Sequence, residues 1–144
     1  MWQIRLAKLC TCPHSAEAVL EAMDGAVQLG LRLRPIMALV LAHEMDQKSC
    51  RGVTAYRLIH ELVRELGGEL CQVIIDASQE GTPVGLLVIR RESREIRQSC
   101  HPVDAIALSL RMQVPLYATV GALRMGSWEN VQPWLETIKP EDFR

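Results

Sequence analysis

The chain has 144 residues, 49% hydrophobic, 23% charged and 4% aromatic, with a net charge of −1. That length suits one domain able to bury roughly two-thirds of its unfolded surface, and the composition excludes disordered and fibrous classes. Near-neutral charge also excludes the broad basic excess from which nucleic-acid binders draw most of their affinity, so any phosphate contact must rest on local patches.

The opening MWQIRLAKL alternates like a strand, with Trp2, Ile4 and Leu6 on one face and Gln3 and Arg5 on the other. Arg5 and Lys8 interrupt its apolar character and no small-residue cleavage site follows, so it does not read as a signal peptide. No apolar run reaches the roughly 20 residues of a membrane span. The expectation is a soluble, cytoplasmic protein in which Cys10, Cys12, Cys50, Cys71 and Cys100 stay reduced.

In AEAVLEAMDGAVQLGLRL the composition favours helix, yet Asp24-Gly25 between two apolar runs predicts a hairpin. Pro35 then opens PIMALVLAHEM, apolar on nearly every side, which predicts a helix buried all round and, with so much apolar surface, a homodimer. The next helix carries Ala55, Leu58, Ile59, Leu62, Val63 and Leu66 at helical spacing as a core-facing stripe. Thr54 caps its start and Gly67-Gly68 ends it. LCQVIIDA, TPVGLLVIR and EIRQSC form an antiparallel meander, turned at Ser78 to Thr82 and at Arg91 to Ser93. HPVDAIALSLRM is a third helix and VPLYATV a last strand. From Gly121 the pattern dissolves, which divides the chain into a domain at 1–120 and a tail at 121–144 that Trp128, Val131, Trp134 and Leu135 can dock.

Arg34-Pro35-Ile36-Met37-Ala38 and His101-Pro102-Val103-Asp104-Ala105 each follow paired strands and open an apolar helix, with Leu41 matching Leu108. The offset of 67 residues, from 35 to 102, suggests an internal βββα duplication. The fold class is therefore α+β, with helices packed on a curved, mostly antiparallel or mixed sheet.

The helix YRLIHELVRELGGEL, the strand QVIIDA, and above all Pro102 with Asp104-Ala105-Ile106-Ala107-Leu108 before VPLYA resemble the bifunctional nuclease domain, a family of bacteria and plants. The resemblance covers most of residues 1–120 and implies a nuclease acting on DNA or RNA. Relatives read Arg-Pro-Leu-Thr-His-Asp before the long helix, where this chain has Arg51-Gly52-Val53-Thr54-Ala55-Tyr56. They also carry an acid at the position of Met37, and Arg-Pro-Ser-Asp where this chain has His101-Pro102-Val103-Asp104. Of the aligned acids only Asp104 survives, so the resemblance implies weak or absent hydrolysis.

Asp104 lies in the first turn of its helix, where the free N–H groups stabilise a carboxylate by about 0.3–1 kcal/mol; its catalytic reading is as a Mg²⁺ or Mn²⁺ ligand. His101 is a candidate base or phosphate contact, or a solvated residue before the helix. Arg51, Arg90 and Arg94 are the nucleic-acid-binding candidates; Arg90 and Arg94 read equally well as charges that protect a sheet edge. Cys10, Cys12 and His14 have metal-like spacing, although free cysteines acting as small hydrophobes are the commoner outcome and zinc is not expected. The rivals to a nuclease are a non-catalytic binding or regulatory module with the same fold, and a small zinc-binding protein.

Overall fold

The computed structural model describes residues 1–46, 55–125 and 136–138. Strands β1 (Trp2–Cys12), β2 (Ser15–Ala22) and β3 (Gln28–Leu33) form an antiparallel meander. The Asp24-Gly25 hairpin expectation holds: Gly25 adopts φ +75°, and the Asp24 carboxylate accepts the Ala26 N–H at 3.0 Å. Alternation turns Ala16, Ala18, Leu20 and Ala22 into the core, opposite Leu29, Leu31 and Leu33 of β3.

Helix α1 (Pro35–Met45) follows, with proline in the first turn as expected. It is not buried all round. Ala38, Leu41, Ala42 and Glu44 are buried, whereas Ile36 and Met45 face out, because only one side of the helix meets the sheet and its neighbouring helix. Helix α2 (Ala55–Glu65) occupies the predicted residues but presents a different face. Leu58, Ile59, Leu62 and Leu66 are 49%, 39%, 52% and 69% exposed, so the expected core stripe points away from the body. Contact is made along one edge of that stripe, by Tyr56 and Val63. Thr54, the expected cap, lies outside the described residues, as do Arg51 and Trp128 to Leu135.

The second half repeats the first. Strands β4 (Gly68–Ala77), β5 (Pro83–Arg91) and β6 (Arg94–Cys100) form an antiparallel meander leading into helix α3 (Pro102–Met112). Gly85 of β5 has no side chain because a Cβ there would lie 2.5 Å from the Cβ of Ala105 in α3. Strand β7 (Leu116–Ala118), shorter than VPLYATV suggested, is followed by α4 (Val120–Met125) and β8 (Glu136–Ile138). Both elements lie where no periodic pattern was expected.

The sheet runs β3-β2-β1-β7-β4-β5-β6, with β8 beside β1 at Leu9–Thr11. β7 is antiparallel to β1 and parallel to β4, so the sheet is mixed and the fold is α+β. Each meander is an arm, and β7 is the strand between them. Helices α1 and α3 pack against each other and the sheet, enclosing Leu20, Leu29, Leu41, Ile75, Ile106 and Leu108. They run side by side in the same sense: their starts line one cleft, and their ends meet where Arg111 Nε lies 3.4 Å from Glu44 Oε2. No described helix is long and apolar enough to cross a membrane.

Candidate functional site

The site candidates gather at the start of α3. The His101 backbone is extended and Pro102 sets the first helical turn, leaving N–H groups that need acceptors. His101 supplies one: its Nδ1 accepts the Val103 N–H at 3.2 Å. A nitrogen that accepts carries no proton, so in the neutral ring the proton sits on Nε2. Exposed His101 therefore offers a donor to any ligand.

Asp104, one turn in, is half-buried and accepts the Tyr56 hydroxyl at 2.9 Å. This bond joins the start of α2 to the start of α3. Burial, followed by the hydrogen bond to Asp104, pushes the Tyr56 hydroxyl far above its ordinary value, so it remains a neutral donor. Beside them, burial and then the charge of Asp104 push the Cys100 thiol up to about 11.

Glu44 is a second carboxylate of this neighbourhood, but it is buried and paired with Arg111 rather than turned to solvent. Burial raises its proton affinity, and the Arg111 and His43 charges draw it partly back. Asp76 accepts from Thr119 Oγ1 at 2.6 Å and from the Ala77 N–H, so it too is engaged. Clamping a phosphodiester between two metals requires several convergent carboxylates. Asp104 with a neutral Tyr56 does not fit that donor set, and among the described residues no group of three His, Cys, Asp or Glu side chains converges.

The remaining candidates are spread out. Gly85 lies beside the His101 carbonyl, and Arg90 is five residues further along β5, about 17 Å away at about 3.4 Å per residue. In the strand register Arg90 stands between Glu69 and Glu95, and Glu95 also pairs with Arg97 at 3.1 Å. Arg94 sits opposite Arg91 at the hairpin tip. Arg51 is outside the described residues. Cys10 is buried on β1 and His14 is exposed in the β1–β2 turn, while nothing is described of the Cys12 side chain.

Two arginines and a tyrosine escaped the sequence reading. Arg32 and Arg34 line a cleft of about 620 Å³ together with His14 and His101. Arg34 could have been found, since the repeat of Arg34-Pro35 and His101-Pro102 makes these residues equivalent in the two halves. Tyr56 holds Asp104 across 48 residues of sequence, a separation at which neither periodicity nor motif spacing reveals a partner.

Residues 18–128 match the bifunctional nuclease domain. The chain belongs to that family. Two curated relatives are also similar: the uncharacterized protein MT1877 of Mycobacterium tuberculosis strain CDC 1551 / Oshkosh, and the uncharacterized protein Rv1829 of strain ATCC 25618 / H37Rv. Each is 31% identical over 106 residues, covering 60% of this chain and 63% of the relative. The chain thus spans less than two-thirds of the relatives' length. Both partners of the Tyr56–Asp104 bond lie within the part of the chain that matches the bifunctional nuclease domain.

Proposed function

We propose that this bifunctional nuclease domain binds nucleic acid through its phosphates and hydrolyses it weakly or not at all. The observation carrying this reading is the Tyr56–Asp104 hydrogen bond of 2.9 Å: the surviving family carboxylate faces a neutral hydroxyl rather than a second acid. His101, with its proton on the outer nitrogen, supports phosphate binding at the same helix start. Arg94, at the exposed hairpin tip, and Arg51 are proposed as outlying contacts.

The test is an oligonucleotide cleavage assay on DNA and RNA with Mg²⁺ or Mn²⁺, run beside a binding titration at several salt concentrations. Binding that weakens as salt rises, with little or no cleavage, is the expected result, because displacing counterions from phosphates makes affinity salt-dependent. Brisk cleavage lost in a folded Asp104→Asn variant would instead establish an active nuclease. The exposed apolar faces of α1 and α2 further support a homodimer, which light scattering measures directly.

A further inference from the structure

We infer that the cleft between the starts of α1 and α3 is a binding site for a terminal phosphate monoester of a nucleotide. The inference builds on the nucleic-acid reading and names the chemical end that this cleft takes. The β1–β2 turn brings His14 and Ser15, the end of β3 brings Arg32, and the two duplicated helix openings bring Arg34-Pro35 and His101. These segments are far apart in sequence, and the sheet brings them to one place.

The charge of the cleft specifies an anion. Two guanidiniums are always protonated, two imidazoles add N–H donors, and no acid is among the lining residues. Outside the lining, half-buried Glu17 is the cross-strand neighbour of Arg32; burial raises its proton affinity and the charge of Arg32 draws it partly back. Arg34 has no ion-pair partner among the described residues. It also begins a helix with neither a side-chain cap nor an acidic residue in its first turn, so the positive end of α1 reinforces the guanidinium.

Charge and size together select the ligand. A phosphate monoester carries about −1.5 to −2 at neutral pH, against −1 for a diester, and two fixed cations match the monoester. Arginine also meets phosphate oxygens in bidentate geometry. At about 620 Å³ the cleft falls in the range of small-ligand sites, which leaves room for an attached nucleoside. Hydrolysis of a phosphodiester bond creates such an end, because water adds to phosphorus as one alcohol leaves. The site would therefore recognise cut or phosphorylated strands whether or not this chain does the cutting.

The experiment is calorimetric titration of the full chain with adenosine 5′-monophosphate, adenosine, and short oligonucleotides carrying a 5′ phosphate, a 3′ phosphate or neither. The monophosphate should bind where adenosine does not, and at least one phosphorylated oligonucleotide should bind about tenfold tighter than the unphosphorylated one. Arg34→Ala should lose about tenfold in affinity. Arg34→Lys should recover part of that loss, and Arg5→Ala, at an exposed arginine paired with Glu21 and absent from the cleft, should bind like the wild type. Circular dichroism melts establish that each variant is folded. Equal binding of all three oligonucleotides, absence of binding by the monophosphate, or wild-type affinity in Arg34→Ala overturns the inference. If the monophosphate binds in an Arg34-dependent way while no oligonucleotide binds, this inference stands and the nucleic-acid reading falls. If all oligonucleotides bind alike and depend on Arg94, the reverse holds.

Discussion

Glu44 and Arg111 meet at 3.4 Å with side chains 3% and 15% exposed, joining the last turns of α1 and α3. They occupy equivalent places in the duplication, since 44 to 111 is the same 67-residue offset as 35 to 102. One half contributes the acid and the other the base. The pair therefore holds together two helices that descend from the same pattern.

Removing one member should be costly and removing both should not. Arg111→Met leaves a desolvated carboxylate and should destabilise the protein by about 3–5 kcal/mol, whereas Glu44→Met with Arg111→Met should be neutral or stabilising. Urea denaturation of the two single variants and the double variant measures this.

The exposed stripe of α2 reverses an expectation drawn from its periodicity. Leu58→Ala and Leu62→Ala should each change the stability of the chain by less than about 0.5 kcal/mol, because no described residue covers them. Leu41→Ala and Ile106→Ala, both fully buried, should cost about 2–5 kcal/mol. Thermal melts compare all four. Leu62→Glu should leave the fold intact, and light scattering on it tests whether this face holds a second copy.

The Tyr56–Asp104 bond predicts a gain of function. Introducing the pair that the sequence resemblance implies, with Ala55→His and Tyr56→Asp, should raise metal-dependent cleavage by about 10²-fold, the lower end of what general acid–base groups supply. Cleavage no faster than wild type would show that the missing capacity lies elsewhere. Tyr56→Phe, which removes only the hydroxyl, should cost about 0.5–1.5 kcal/mol of stability in the same denaturation assay.

Cys100 sets an alkaline limit. Its thiol is raised from an ordinary 9.0 to about 11, so the folded state holds this proton more tightly than the unfolded chain does. The stability it contributes is fully present below pH 9.0 and is lost as pH rises through about 11. Unfolding free energy measured across that interval should fall less steeply in Cys100→Ser. Alkylation of Cys100, followed by mass spectrometry, should be slow at pH 8 and accelerate above pH 10.

The sequence was most readable where local chemistry decided the outcome. Asp24-Gly25 announced its hairpin because glycine accepts the left-handed conformation there. Pro35 and Pro102 marked both helix starts because proline suits a first turn. It was least readable where distant segments decide. Periodicity located the apolar stripe of α2 but carried no information on where the body would lie, and Val63 and Tyr56 at its edge took the contact. Arg32 and Arg34 look like solvent-facing residues at a strand end. Their shared cleft with His101 exists only once both halves have folded. The short α4 and β8 have too few residues for a period to emerge.

The three residues of β7 also govern the order of events in assembly. Its pairing with Trp2, Gln3 and Ile4 spans nearly the whole described chain, and its pairing with Val73, Ile74 and Ile75 is parallel. Contacts between residues so remote in sequence form slowly, because a long loop must close first. On the ribosome the strands of each meander emerge together, but the facing edges of β1 and β4 have no strand to join them until Ala118 has been made. For that interval the growing chain carries two open strand edges, which are templates for pairing with other chains. A late three-residue strand is what converts two arms into one continuous sheet.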